Sequence, residues 1–209
     1  MSEELKDYMI VTRDFYETNA LLYAANTAEM LDREWLEQFA SLLPPGARVL
    51  DAGCAGGRDA QWFVARDFDV VGIDIASSFV EIAGRNAPNA EFRVASVTSL
   101  PFEAESFHGV WCSCVLIHLK KSDASLAVSE MSRVLKPGGT LYILVKSGNS
   151  EEFEADARYG GMIKFNSYFT EEEMRDMLRG FEMVAFRSVD KPVDAYRAPD
   201  RMFMLARKL

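Results

Sequence analysis

Eleven residues constrain this chain more than any other stretch: Val49-Leu50-Asp51-Ala52-Gly53-Cys54-Ala55-Gly56-Gly57-Arg58-Asp59. An apolar run meets a carboxylate, then a glycine-rich turn, then Ala60-Gln61-Trp62-Phe63-Val64, which reads as the start of a helix. A buried strand, a tight turn and a helix N-terminus follow from that order. Such a turn lets a ligand lie against backbone N–H groups with no side chain in the way. A second apolar run, Val70-Val71-Gly72-Ile73-Asp74, ends on another carboxylate. Two strand ends of this kind point to a nucleotide-like ligand at the carboxyl edge of a parallel sheet.

The rest of the chain supplies the sheet. Aromatic and leucine residues recur at helical spacing through the first forty or so residues, with Trp35 and Phe39 as core candidates, until Pro44-Pro45-Gly46 stops the helix. Strands are then expected at Arg48–Asp51, Phe68–Asp74, Glu91–Ala95, Phe107–Leu116 and Thr140–Val145. Between them fall helices at Arg58–Arg66, at Ser77–Asn86 (Ser77 or Ser78 as cap, Glu81 completing a capping box) and at Ser122–Leu135, with Leu126, Met131 and Leu135 on one face. Pro137-Gly138-Gly139 reads as a turn, and Lys146–Tyr168 as a polar, irregular segment. Thr170 caps a last helix reaching about Gly180, and Phe181–Val189 and Arg201–Arg207 pair as a hairpin joined through Asp190–Asp200. Strands alternating with helices require right-handed parallel units, so the fold class is α/β, a doubly wound sheet with helices on both faces. With 209 residues and no linker or repeat, one domain is expected over 1–209.

Composition narrows the partners. A net charge of −9 works against nucleic acid. Cys54, Cys112 and Cys114 are odd in number and lack metal-ligand spacing, so reduced thiols and no metal site are expected. The charged N-terminus is unlike a signal peptide, and no apolar run approaches the roughly 20 residues of a membrane span. A cytoplasmic protein, off the membrane, monomer or homodimer, is the expectation.

The glycine turn excludes two ligand classes. Arg58 stands where a dinucleotide fingerprint needs its third glycine, and the P-loop lysine is absent. Asp51, two residues ahead of the loop, would repel a pyrophosphate. In this form Val49–Arg58 resembles the first motif of the class I S-adenosylmethionine-dependent methyltransferases, D-x-G-x-G-x-G after the first strand. Val71–Ala76 resembles their second-strand motif. Leu100-Pro101-Phe102 with Ser106–Val110 is similar to their LPF segment, and Leu135–Leu141 to their LKPGG turn. The resemblance runs in order from about Arg48 to Val145. It implies a Rossmann-like seven-stranded sheet, mostly parallel with an antiparallel C-terminal hairpin strand. It also implies an N-terminal helical lid at 1–45, a cofactor core at 46–145, a substrate-side segment at 146–170 and a C-terminal helix and hairpin at 171–209.

The resemblance also implies roles. The backbone of Gly53, Cys54, Ala55 and Gly57 would approach the methionine part and ribose of S-adenosylmethionine, with Asp51 near the methionine amino end. Asp74 would hold both ribose hydroxyls, its two oxygens matching a cis-diol. Ile75 would pack on the adenine, beside Ser96 and Val97. Ser113 would face the sulfonium, and Tyr23, with Tyr16, would belong to an aromatic lid. His118, at the exit of the fourth strand, is the candidate general base, since its ordinary pKa lies near working pH. Three departures stand out: Ala55 for the middle glycine, Ser96 for an aspartate, and His108 for another. Lys146, Arg158 and Lys164, with Tyr159 and Tyr168, hint at an anionic acceptor such as a carboxylate. The leading expectation is methyl transfer to a small molecule. The alternatives are an RNA or protein methyltransferase and a non-catalytic S-adenosylmethionine-binding regulatory domain; a nicotinamide dehydrogenase fails at the glycine loop.

Overall fold

The computed structural model describes residues 5–189 and 200–209. Five strands, β1 (Arg48–Ala52), β2 (Asp69–Asp74), β3 (Glu91–Val94), β4 (Phe107–Ser113) and β5 (Leu135–Lys146), pair in parallel. β9 (Arg201–Lys208) adds antiparallel to β5, and β8 (Phe181–Val189) antiparallel to β9. The strand order is β3-β2-β1-β4-β5-β9-β8, so the winding direction reverses between β1 and β4. In such sheets the crevice at the carboxyl ends of these two strands takes the ligand.

The apolar runs are continuous because the sheet is buried on both faces. Successive residues serve opposite layers: Val110 and Cys112 of β4 join Leu141 and Ile143 of β5 in one core, while Trp111, Tyr142 and Leu144 join the other. On the first side pack α5 (Lys121–Val134) and α6 (Glu171–Met177). On the second pack α2 (Arg33–Ser41) and α3 (Arg58–Val64), where Trp111 stacks on Tyr142 at 3.7 Å between ring centroids, and Trp35 and Phe39 are buried. The long α1 (Asp7–Thr27) buries Tyr8, Met9, Thr12 and Phe15 on one stripe. Its far half lies against α4 (Ser77–Asn86), with Ala20 beside Phe79 and Ile82.

Four local expectations are corrected. The α4 N-terminus has no cap of its own: Glu17 of α1 accepts from the backbone N–H of Ser77 at 2.5 Å and of Ser78 at 3.0 Å. A carboxylate there satisfies free N–H groups and the helix dipole as a capping serine would, from another helix. Leu126 is 44% exposed; the buried face of α5 is Ala124, Ala127, Val128, Met131 and Val134. Pro137-Gly138-Gly139 lies inside β5 as an irregularity in its pairing with β4, Leu135 facing Phe107 and Thr140 facing Gly109. Lys146–Tyr168 is not irregular. It contains an antiparallel ribbon, β6 (Glu151–Asp156) and β7 (Met162–Ser167), closed by Gly160 and Gly161 at positive φ. The ribbon escapes sequence reading because its buried members include Asp156, Lys164, Asn166 and Ser167, which carry no apolar alternation. The joining segment expected at Asp190–Asp200 lies, but for Asp200, outside the described residues.

Candidate active site

Above β1 and β2 the glycine turn folds over the sheet edge. Gly53 and Cys54 donate their N–H groups to Ile73 O at 2.8 and 2.9 Å, tying the turn to β2. Gly53 has φ +82° and a Cβ there would overlap the Val115 side chain, so glycine is required twice over. Asp74 holds the turn from the other side. Its Oδ2 accepts from Ala55 N at 3.1 Å and its Oδ1 from Ala76 N at 2.9 Å. Burial pushes its pKa up to about 6, and the N–H groups of Ala76, Ala55 and Ile75 work against that rise. Ala55 itself sits at φ +44°, a conformation glycine adopts without strain.

A cavity opens beside this turn, between the sheet edge and α1. Its wall includes Tyr23, Gly53, Cys54, Ala55, Asp74, Ile75, Ser96, Val97 and Ser113, together with His118. Two expected cofactor residues stand behind the wall. Gly57, at φ +81°, lets α3 approach α4, for a Cβ there would meet Ala83 Cα at 2.9 Å. Asp51 is buried with Oδ2 lacking a hydrogen-bond partner; burial, then Asp59, pushes its pKa well up. Asp59 is occupied by Arg58 and by Trp111 Nε1 at 2.9 Å. Sequence reasoning did not pick out Met9, Thr12 or Phe79, which also face this space. Helical spacing marks the buried stripe of α1 but not what it covers.

His118 closes a short 3-10 turn, Leu116–His118, after β4. Its Nδ1 lies 2.8 Å from Phe165 O, so the ring donates there and is the Nδ1–H tautomer. Nε2 is then an acceptor, and Tyr16 OH donates to it at 2.7 Å. Burial depresses the His118 pKa to about 3, Lys146 and Lys164 add to the depression, and the Phe165 bond opposes it. The imidazole is neutral at physiological pH. Tyr16 also packs edge-on against Tyr23, so the lid aromatics meet the end of β4.

A second, more polar cavity adjoins the first. Tyr16, Tyr23, Ser113, Cys114 and His118 line both. Its far wall is the β6–β7 ribbon. Lys164 donates to Asp156 at 2.5 Å, and Arg158 to the same carboxylate at 2.6 Å. Lys146 donates to Asn166 Oδ1 at 2.9 Å and stands 3.6 Å from Glu154. The three cations noted in the sequence thus face protein carboxylates. Arg201, which the sequence did not single out, lines the same cavity. Among the described residues no cluster of His, Cys, Asp or Glu could hold a metal, and no helix is long and apolar enough to cross a membrane.

Residues 49–139, which include the glycine turn and the carboxylate ending β2, match the family model described as a methyltransferase domain. Residues 49–139 thus carry a methyltransferase domain, in line with the resemblance to the class I S-adenosylmethionine-dependent methyltransferases. Among similar proteins, an O-methyltransferase of Aspergillus nomiae is 28% identical over 77% of this chain and 75% of its own length. A ubiquinone biosynthesis O-methyltransferase of Paracidovorax citrulli is 33% identical over 57% of this chain, and the match spans about half of that relative's length, 51%. The fold is shared with a Methanosarcina mazei methyltransferase (TM-score 0.74, 24% identity, 81% of this chain and 96% of that one). It is also shared with the 1,6-didemethyltoxoflavin-N1-methyltransferase of Burkholderia thailandensis (TM-score 0.73, 23% identity, 100% and 93%), whose structure holds S-adenosylhomocysteine and 1,6-didemethyltoxoflavin.

Proposed function

We propose that this chain transfers a methyl group from S-adenosylmethionine to a small-molecule acceptor. The observation that carries the reading is the junction of the two cavities at Ser113, Cys114 and His118. A donor in one and an acceptor in the other would meet at the end of β4. The residues fit the cofactor. Asp74 offers two acceptor oxygens to a ribose diol, and the backbone of Gly53, Cys54 and Ala55 lies open beside it. The unpartnered Oδ2 of Asp51 suits a nearby ammonium, which would also relieve its burial as a charge. Ile75 and Val97 give apolar walls for a purine, with Ser96, whose hydroxyl lies 2.7 Å from Thr98 Oγ1, at the edge. Gly57 supports the turn from behind.

When bound there, S-adenosylmethionine supplies a methyl group on a sulfonium, open to in-line attack. The chain's own part is to position the acceptor and exclude water. α1 and the β6–β7 ribbon cover the junction. His118 Nε2 can receive a hydrogen bond from an acceptor hydroxyl in place of Tyr16. A neutral imidazole with so low a pKa is a weak base toward a resting alcohol. The acceptor oxygen, however, becomes strongly acidic as it loses electron density, and a weak base in contact then suffices. The names of the curated relatives favour oxygen as the acceptor atom, and the net charge of −9 favours a small molecule over nucleic acid.

Calorimetry with S-adenosylmethionine and S-adenosylhomocysteine, followed by a metabolite screen for gain of one methyl group, tests the reading. Micromolar binding lost in Asp74→Ala is expected. His118→Ala should bind S-adenosylhomocysteine normally while its turnover falls about a hundredfold. No heat and no thermal shift with either ligand would overturn the assignment.

A further inference from the structure

We infer that the acceptor is an organic acid whose carboxylate docks on Arg201, with Lys146 beside it, while the group to be methylated lies toward Ser113 and His118. The inference rests on reading the second cavity as the acceptor site, and it names the acceptor's chemistry.

Arg201 opens β9 directly opposite Lys146 of β5. Residues opposite each other in an antiparallel pair share a face, so two cations stand side by side on the cavity wall. Like charges so placed repel. The neighbouring cations have answers within the protein: Lys164 and Arg158 share Asp156, Arg58 clamps Asp59, and Lys146 has Asn166 and, more loosely, Glu154. Arg201 has none. Among the described residues its guanidinium makes no hydrogen bond or ion pair, and its Nε is buried without a partner. The cavity's carboxylates are committed elsewhere: Asp156 as above, Glu154 to Asn166 and Tyr168, and Asp32 is also partnered.

A half-buried guanidinium whose Nε is buried and unanswered is costly in a folded chain. Its planar fork matches a carboxylate in two parallel hydrogen bonds, and the added negative charge would quiet the Lys146–Arg201 repulsion. The position suits an anchor. Cys114 follows Ser113 and lines both cavities; after burial, Arg201 is the leading influence on its thiol, pulling its pKa down. Arg201 therefore lies within electrostatic reach of the junction. Tyr16, Tyr23 and Tyr168 give the space between an aromatic lining.

Benzoate is the probe, with benzamide as its uncharged counterpart and phenyl phosphate as the other oxyanion, titrated calorimetrically with and without S-adenosylhomocysteine. Benzoate should bind at least about tenfold tighter than benzamide, and Arg201→Gln should weaken it about 30-fold. Arg201→Lys should restore part of that, and neither variant should change S-adenosylhomocysteine affinity. Benzoate bound no better than benzamide, or equally by wild type and Arg201→Gln, would overturn the inference. Phenyl phosphate bound more tightly than benzoate through Arg201 would replace the carboxylate with a phosphate ester. Benzoate held through Arg201 by a chain that ignores S-adenosylhomocysteine would support the anion site and break the methyltransferase reading instead.

Discussion

On the sheet side of the site, Asp74 reaches Ala55 across 19 residues and Ala76 across two, both through backbone N–H groups. On the cover side, Tyr16 reaches His118 across 102 residues, His118 reaches Phe165 across 47, and Phe165 reaches Thr12 across 153. The first wall is set by the shape of the main chain at strand ends. The second is an agreement among side chains from α1, the turn after β4 and the ribbon. A wall of the first kind suits a constant ligand, and a wall of the second can be rebuilt for another acceptor without disturbing the sheet.

The comparison breaks most visibly at Gly53. Gly53→Ala places a Cβ inside Val115 on a residue at positive φ, so the turn must shift. S-adenosylhomocysteine affinity should fall more than about a hundredfold, equivalent to roughly 3 kcal/mol. Isothermal calorimetry beside a thermal melt checks it. Unchanged affinity would mean that the main chain of the turn does not shape the ligand site.

Next in size is a pH effect confined to the sheet side. Ribose hydroxyls donate, so they favour ionised Asp74, whose pKa burial raises to about 6. Binding to the ionised form releases a proton from the free protein as pH falls below that value. Affinity should therefore be flat above pH 6 and fall by up to about tenfold per unit below it. Asp74→Asn should bind more weakly and lose this dependence between pH 5 and 8. A wild-type profile flat across that range would remove Asp74 from ligand binding.

These differences also decide what could be read from the sequence. Asp74 announces itself because four apolar residues run directly into it, and Gly53 because glycine follows a strand. The order of strands follows from their alternation with helices. Glu17 as the cap of α4 is unreadable, since Ser77 and Ser78 offer the local alternative and only the packing of α1 rules it out. Gly57 carries the same letter as Gly53, yet it serves helix packing; the difference lies in what stands behind each Cα. His118 was marked by position alone, and its tautomer depends on a carbonyl of the ribbon. Arg201 needed the register of β5 against β9 to appear beside Lys146.

On the cover side, Thr12 is the residue to remove. It is buried, accepts from Phe165 N at 3.1 Å and donates to Tyr8 O at the same distance. Thr12→Val keeps the shape and leaves the Phe165 N–H unanswered, costing about 1–2 kcal/mol of stability by denaturant unfolding. Thr12 faces the donor cavity only from the cover side, and Thr12→Val keeps its shape there, so S-adenosylhomocysteine affinity should change less than about threefold. A large loss of affinity would show that the two walls form one unit.

The smallest effect sharpens the same division at its seam. Tyr16 OH occupies His118 Nε2, the atom an acceptor hydroxyl would use. Tyr16→Phe keeps the ring, and with it the edge-on contacts to Tyr23 and to the His118 imidazole, and removes only the competing donor. One net hydrogen bond is about 1 kcal/mol, so KM for the acceptor should fall by a few-fold while kcat and cofactor affinity hold. The opposite pattern, kcat reduced at unchanged KM, would mean that the Tyr16 hydroxyl stays in place and itself contacts the reacting group. Tyr16 would then act on the reacting atoms alongside His118 rather than as a placeholder for the acceptor, and the cover side would contribute chemistry as well as fit.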